Sequence, residues 1–297
     1  MAKKNKTEAA ATAAIREKSN GEKVLARFLA RKISVAGLII LSIIVFMALF
    51  GDKICTIDPA HYDAKARFLG PCKGHIFGTD DMGRDTLARI IDGAKLTLII
   101  TLGSVGIALA GGTTLGLICG FKKGVIDNIV SGFMDSLWAF PAVVLAMAIN
   151  TALGQSIGNI IIAIGVVNIP DFFRVVRSRV ISIREMEYVT GARAIGLSDA
   201  KIIWRYVLPN LLSTLIVQLT LTAAKAVLAE AALSFLGLGV PLPRASWGTM
   251  LKSGYNLIDR TIWLGIFPGF FIMMLVLSLN FLGDGLRDAL DIRIRAD

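Results

Sequence analysis

Three ionisable residues lie inside long, otherwise uncharged stretches of the sequence. Asp135 falls within 129–153, and Lys225 and Glu230 fall within 211–236. A charged side chain is costly inside a membrane, so it faces a bundle interior, a wet cavity or a charged partner. The three residues therefore predict either a pathway for a polar solute or buried structural ion pairs. Lys225 could attract a carboxylate-bearing solute, or it could pair with Asp135 or another buried acid.

Motifs typical of an enzyme are missing. The sequence contains no phosphate-binding loop of the type Gly-x-x-x-x-Gly-Lys-Ser/Thr, and no Cys-x-x-Cys or His-Glu-x-x-His pattern. We therefore predict that this chain binds no metal or cofactor and hydrolyses no ATP. A membrane-embedded enzyme would need a catalytic constellation, so we do not favour that class.

The composition indicates that these residues are positioned by membrane helices. Of 297 residues, 55% are hydrophobic, which exceeds the share typical of a soluble domain. Six apolar runs are long enough to cross or nearly cross a bilayer. They predict an all-α membrane protein with six transmembrane helices at 33–50, 96–121, 129–153, 157–176, 211–236 and 262–282.

The charge distribution predicts the orientation. The formal net charge is +10, and most of the 32 Lys and Arg residues fall in the termini and in alternate loops. The positive-inside rule then places both termini in the cytoplasm. The basic N-terminal tail could instead bind nucleic acid, but a basic tail before a span is what this rule predicts. The predicted segments are a cytoplasmic tail (1–32), an extracytoplasmic loop with an interfacial helix (51–95), a five-helix core (96–291) with a cytoplasmic loop (184–209), and a cytoplasmic C-terminus (292–297).

Small residues and prolines predict how the spans pack. Gly112, Gly116 and Gly120 are spaced four apart, which lets another helix approach one face of the second span. Pro141 predicts a kink in the third span. The arginines that follow the fourth span could pair with acidic groups on a partner or with anionic lipid head groups. They are Arg174, Arg177, Arg179 and Arg184.

The loop from 184 to 209 contains an amphipathic segment that reads as two short helices. Gly196 can adopt the left-handed conformation that ends the first helix. Ser198 can cap the second helix, and Pro209 is expected to stop it or kink it into the next span.

This segment resembles the cytoplasmic EAA loop of bacterial ABC importer permeases. Thr190-Gly191-Ala192 occupies the family's Glu-Ala-Ala triplet, Gly196 follows at the family spacing, and Leu208-Pro209 ends the pattern. Thr190, Gly191 and Tyr206 differ from the family residues. The resemblance implies a coupling helix that docks on a separate ATPase, with Val189, Ala192 and Ile195 as its apolar stripe. The coupling residues it implies are Glu187, Thr190, Gly191, Ala192, Arg193, Gly196, Leu208 and Pro209.

Three further sequence segments resemble those of the dipeptide, oligopeptide and nickel branch of these permeases. They are His75–Asp85, Gly237–Leu251 and Gly283–Asp291. The resemblance implies a type I ABC importer permease fold in the bacterial cytoplasmic (inner) membrane. It implies as partners a second, homologous permease (a heterodimer), two ABC ATPase subunits that bind ATP-Mg, and an extracytoplasmic substrate-binding protein. Peptides are the expected cargo, and nickel chelates or another small solute are the alternative.

The two outer loops carry further candidates. Pro241, Pro243, Trp247 and Met250 could form a docking surface for the external binding protein, or a re-entrant packing loop. In the first loop, Cys55 and Cys72 could form a disulfide or remain free thiols. The aspartates of that loop with His75 could hold a cation, although no EF-hand spacing is present.

A secondary transporter is the other rival function. Such a protein would show inverted repeats and paired broken helices with ion-binding acids. We find no internal repeat, and the spacing of the 184–209 segment has no role in that class.

Overall fold

The computed structural model describes residues 20–241 and 243–290, and the tail segments 1–19 and 292–297 predicted above lie outside them. The described chain is helical, with one short 3-10 turn and one π turn. The helices are α1 (Asn20–Ala30), α2 (Lys32–Ile54), α3 (Thr86–Lys122), α4 (Val125–Ala139), α5 (Ala142–Leu153), α6 (Ile157–Arg184), α7 (Glu187–Ala194), α8 (Asp199–Ile202), α9 (Leu208–Phe235), α10 (Trp247–Asn256) and α11 (Trp263–Leu290).

Five helical segments are long and apolar enough to span a membrane. They are α2, α3, α6, α11 and the segment Asp199–Phe235, which contains α8 and α9. The third predicted span, at 129–153, is the pair α4 and α5, which together are apolar enough to span and are bent by 98°. The kink predicted at Pro141 is a full break between two helices. Pro141 sits at the N-cap of α5 and has no N–H to continue the ladder of α4, so the chain breaks there.

Helix α3 begins ten residues before the predicted second span. The expected interfacial helix does not exist as a separate element in the described residues, because Thr86–Lys122 is one helix of 37 residues. The Asp85 side chain caps it by accepting from the backbone N–H of Ala88 at 2.8 Å. Ile90 and Ile91 are buried in the bundle rather than lying on a membrane surface.

The loop 55–85 is held by an ionic cluster at the start of α3. Both oxygens of Asp80 are used: Oδ1 accepts from the backbone N–H groups of Met82 and Arg84, and Oδ2 accepts from Arg84 Nε at 2.7 Å. Arg89 Nε lies 3.5 Å from the same Oδ2, so Asp80 faces two arginines. His75 Nδ1 contacts Asp85 Oδ2 at 2.8 Å.

The same cluster occupies the aspartates that, with His75, were the alternative candidates for a cation site. Arginine side chains neutralise Asp80, and Asp85 is occupied by His75 and its cap contact. Within 20–241 and 243–290, no group of three His, Cys, Asp or Glu side chains is arranged to hold a metal ion. Cys55 and Cys72 are free thiols in this structure.

Helices α3 and α6 form the tightest contact of the bundle. A Cβ at Gly112 would overlap Phe172 and the carbonyl of Ile169, which lie on α6. At Gly116 it would lie 2.8 Å from Val176 Cβ, and at Gly120 it would lie 2.9 Å from the carbonyl oxygen of Arg177. Because side chains are absent at these three positions, the two backbones approach closely along about two turns.

Helix α1 shows that part of the predicted tail is structured. Phe28 is buried against Leu282 and Ala289 near the end of α11. Arg31 forms an ion pair with Asp288, also on α11. The chain therefore enters α2 from the end of the bundle at which α11 ends and α7 lies, called the α7 end below.

Candidate functional site

The turn after α7 has the geometry predicted from Gly196. Gly196 has φ of +84°, which L side chains rarely adopt. Its N–H donates to the carbonyl of Arg193 at 3.0 Å, and the N–H of Leu197 donates to that of Ala192 at 3.2 Å. This pair of bonds is a Schellman motif, which satisfies the last carbonyls of the helix.

The second half of the segment differs from its prediction. Ser198 stands at the N-cap of α8, but its side chain makes no capping bond. Pro209 does not stop the helix, because a π turn at Ile203–Val207 carries α8 directly into α9. Pro209 has no N–H to donate and its ring crowds the preceding turn, so a widened turn accommodates it. Asn210 Nδ2 then donates to the carbonyl of Tyr206 at 2.6 Å.

Helix α7 rests on the ends of α3 and α6. Val189 and Ala192 are buried within this chain, which corrects their assignment to the stripe that enters an ATPase; Ile195, the third member of that stripe, is exposed. Arg184 Nη1 donates to the carbonyl of Phe121 at 2.6 Å, and the Arg193 guanidinium lies 5.3 Å from the Phe121 ring centroid. Helix α7 therefore contacts α3 through Arg193 and Phe121, next to the bond that joins α6 to α3.

The outward face of the segment carries large apolar side chains. Ile195 is 78% exposed and Trp204 is 74% exposed, and Tyr188 lies beside Tyr206 on the same segment. Glu187, Thr190, Gly191 and Arg193 are also exposed. Sequence reasoning missed Trp204 and Tyr188. The signal was the helical phase: Trp204 lies two residues after buried Ile202, an offset that places it on the opposite face of the helix.

A chain of charged groups crosses three helices where α4 is interrupted. Lys225 Nζ of α9 pairs with Asp171 Oδ2 of α6 at 2.7 Å. The indole N–H of Trp138 donates to Asp171 Oδ1 at 3.2 Å. The Arg174 guanidinium lies 4.0 Å from the Trp138 ring centroid and pairs with Asp135 Oδ1 at 2.7 Å. We call these five residues the charged seam.

The charged seam borders an open cleft. A cavity of about 560 Å³ lies between α4, α5, α6 and α9, lined by Trp138, Phe140, Asn168, Asp171 and Lys225 among apolar residues. The side chains of Asp135 and Lys225 are each 61% exposed, although both belong to membrane-spanning segments. Exposed charges at this depth require water or a polar partner in place of lipid. We call this cavity the central cleft.

Of the pairings predicted for Lys225, the one with another buried acid is confirmed, because it pairs with Asp171 and not with Asp135. Asp135 and Lys225 belong to one network but do not touch each other. The sequence did not reveal their partners Asp171 and Arg174, because charges on different spans can be paired only when the packing is known.

Glu230 does not belong to the central cleft, which corrects its assignment to a pathway. It is fully buried, and Oε1 accepts from the Ser234 hydroxyl at 2.7 Å. The Ser246 hydroxyl donates to Ser234 Oγ at 3.2 Å. Oε2 has no hydrogen-bond partner in the described residues. Its contacts join the C-terminal end of α9 to the start of α10.

The four predicted docking residues differ in burial: two are buried and two are exposed. Trp247 is fully buried and its indole N–H donates to the carbonyl of Ile90 at 2.9 Å; Met250 is also buried. Neither side chain can offer an external surface in this conformation. Both pack inside the bundle, as expected for the alternative of a packing loop. Pro241 and Pro243 are exposed at the same end.

A second ion pair fixes α4 beside α6. Arg177 Nε and Nη2 donate to Asp127 Oδ1 and Oδ2 at 2.6 and 2.7 Å, and the Ser131 hydroxyl donates to Oδ1 at 3.1 Å. Two parallel bonds between a guanidinium and a carboxylate restrict orientation as well as distance. Arg174 and Arg177 thus pair within the chain, rather than with a partner or with lipid.

Comparison with known proteins agrees with this architecture. Residues 112–296 match the family model of the binding-protein-dependent transport system inner membrane component. Residues 19–71 match the N-terminal TM domain of oligopeptide transport permease C.

Curated relatives extend the likeness over most of the chain. The dipeptide transport system permease protein DppC of Alkalihalophilus pseudofirmus is 44% identical, over 89% of this chain and 87% of its own. The di/tripeptide transport system permease protein DppC of Pseudomonas aeruginosa is 40% identical, over 90% of each chain. The oligopeptide transport system permease protein OppC of Bacillus subtilis is 35% identical, over 91% and 88%. The chain therefore belongs to the family of binding-protein-dependent transport system inner membrane components.

Proposed function

We propose that this chain forms half of the translocation pathway of an ATP-driven importer of di- and oligopeptides. A second, homologous permease supplies the other half, two ABC ATPases bind ATP-Mg, and an extracytoplasmic binding protein delivers the cargo. The observation that carries the proposal is the charged seam, whose exposed charges border an open cleft inside the membrane. The names of the relatives support peptides as the cargo.

Coupling to the ATPases is proposed to use the outward face of the α7–α8 segment. Ile195 and Trp204 are the exposed apolar anchors, and Glu187, Thr190, Gly191 and Arg193 surround them. Because Val189 and Ala192 are buried and Arg193 lies over Phe121 of α3, ATPase closure is proposed to move α7 together with α3 and α6.

The proposed location is the bacterial inner membrane, with both termini and the α7 end in the cytoplasm. The loop 55–85 then lies outside, and the exposed Pro241 and Pro243 lie on the face that the binding protein approaches.

Thiol labelling tests this orientation. Cys72 is exposed and Cys119 is buried in α3. We expect a membrane-impermeant maleimide to label Cys72 in intact spheroplasts of a Cys55→Ser variant and to leave Cys119 unlabelled. Labelling of Cys72 only in inside-out vesicles would reverse the orientation.

Removing the lysine charge tests the pathway. We expect Lys225→Met to lower the rate of peptide uptake by about tenfold or more, because Asp171 loses its cation and a charge-assisted hydrogen bond contributes about 1.5–3 kcal/mol. Uptake is measured at equal amounts of assembled complex. Leu212→Met, at an exposed position of α9 remote from the central cleft, is the control and should transport normally. Equal uptake by both variants would remove Lys225 from the pathway.

The cargo is tested on the complex that co-purifies with this chain. After reconstitution with its binding protein, the ATPase rate is followed while dipeptides, oligopeptides and then nickel chelates are added. We expect stimulation by peptides. Stimulation by nickel chelates alone would support the alternative cargo, and a complex without ATPase activity would contradict an ATP-driven importer.

A further inference from the structure

A second polar cleft opens between α6, α9 and α11 near the α7 end. Its volume is about 360 Å³. Its polar lining is Arg179, Ser213, Thr214, Gln218 and Arg287, and none of its lining residues is an aspartate or a glutamate. We call it the basic cleft.

The two arginines of the basic cleft have no acidic partner among the described residues. The neighbouring arginines of α6 are all engaged: Arg174 with Asp135, Arg177 with Asp127, and Arg184 with the carbonyl of Phe121. Arg179 and Arg287 form no ion pair within 20–241 or 243–290 and are exposed. Two unpaired guanidinium groups beside two hydroxyl groups provide donors suited to an oxyanion.

The basic cleft and the central cleft lie along the same two helices, α6 and α9. On α6, Asp171 of the central cleft is followed by Val175 and Arg179 of the basic cleft at intervals of four residues, so they share one helix face. On α9, Lys225 of the central cleft follows Leu221 and Gln218 of the basic cleft on one face. At about 1.5 Å per residue, the basic cleft lies roughly 10–12 Å nearer the α7 end.

Charge neutralisation differs between the two clefts. Lys225 in the central cleft is paired with Asp171 at 2.7 Å, whereas the arginines of the basic cleft are not neutralised by any described residue. An anionic group between α6 and α9 is therefore attracted more strongly at the α7 end than at the charged seam.

We propose that the basic cleft binds the terminal carboxylate of the peptide cargo as the peptide passes towards the cytoplasm, an inference that rests on the proposed function. Arg179 and Arg287 donate to the carboxylate oxygens, and the hydroxyl groups of Ser213 and Thr214 supply further donors. The planar fork of arginine matches the two oxygens of a carboxylate, which a peptide amide lacks. Exposure to water keeps the binding weak, so that the cargo is released.

Arginine-specific labelling tests this site without requiring transport. The assembled importer is placed in nanodiscs of zwitterionic lipid and treated with phenylglyoxal, and the labelling rate of each arginine is measured by mass spectrometry. With dialanine at several times its dissociation constant, we expect labelling of Arg179 and Arg287 to slow by about threefold or more. The C-terminal amide of dialanine should not slow it. Arg260, an exposed arginine at the opposite end, is the matched control and should react at a constant rate.

Two results would overturn the proposal. Equal labelling rates with dialanine, with its amide and without peptide would show that the basic cleft binds no cargo carboxylate. Slowing by phosphatidylglycerol in the nanodisc, without any effect of dialanine, would assign the cleft to lipid head groups instead. If the same importer still accumulates peptide with ATP in proteoliposomes, either result leaves the proposed function intact and removes only this site.

Discussion

Replacing both Ile195 and Trp204 by aspartate is expected to abolish ATP-driven uptake while the permease remains folded in the membrane. These side chains are 78% and 74% exposed, so the chain itself loses little packing when they change. Buried aromatic and aliphatic anchors carry much of the energy of protein interfaces, at about 2–4 kcal/mol each for the strongest. The loss of one such anchor corresponds to about 30-fold to 1,000-fold in affinity for the ATPase, and the variant loses two. The measurement is the amount of ATPase subunit that co-purifies with the variant, together with uptake.

A matched control separates docking from general damage. Ile258→Asp places the same charge at an exposed apolar position in the loop at the opposite end, where Ile258 is 56% exposed. This variant should retain the ATPase. If Ile195→Asp with Trp204→Asp retains it equally well, the outward face of α7–α8 is not the coupling surface.

Variants at buried or conformationally constrained positions of α7 and its turn cannot separate uncoupling from misfolding. Ala192→Asp places a charge at a buried position, so loss of uptake would reflect misfolding as much as uncoupling. Gly196→Pro removes the N–H that donates to Arg193 and forces a negative φ where the chain needs +84°. The exposed pair Ile195 and Trp204 avoids both effects.

Gly116→Leu is expected to have the largest effect on stability. A Cβ at Gly116 would lie 2.8 Å from Val176 Cβ and 3.0 Å from the carbonyl oxygen of Phe173, so α3 and α6 must separate. Overpacking of a core costs about 1–3 kcal/mol, and contact with backbone places this case at or above the upper value. We expect either loss of the assembled complex or a strongly lowered thermal unfolding temperature in detergent. Size-exclusion chromatography after heating measures both.

Gly106→Leu provides the comparison on the same helix. A Cβ at Gly106 has no atom within 4 Å, so the added side chain meets open space. This variant should assemble at near-normal yield. Equal stability of the two variants would contradict close packing of α3 against α6 at Gly116.

Local signals predicted the parts of this fold that depend on local physics. Length and hydrophobicity located the five long helices, and the need for a positive φ identified Gly196 as the turn after α7. These properties depend on residues next to one another in the chain.

Features that depend on tertiary packing were missed or misassigned. The sequence showed that α7 is amphipathic, but not that Val189 and Ala192 face the bundle and leave Ile195 outside. It showed Asp135 and Lys225 as costly charges, but Asp171 and Arg174 became their partners only through the arrangement of α4, α6 and α9. Pro141 predicted a kink in the helix. The angle of 98° between α4 and α5 depends on what the two helices pack against.

The most direct test of the central claim is the accumulation of labelled dipeptide in proteoliposomes. They contain this chain, its partner permease, the ATPases and the binding protein. We predict accumulation above the external concentration that requires ATP, is insensitive to a proton uncoupler and is lost in the Ile195→Asp, Trp204→Asp variant. Accumulation that an uncoupler abolishes and that continues without ATP would contradict the account and identify a secondary transporter.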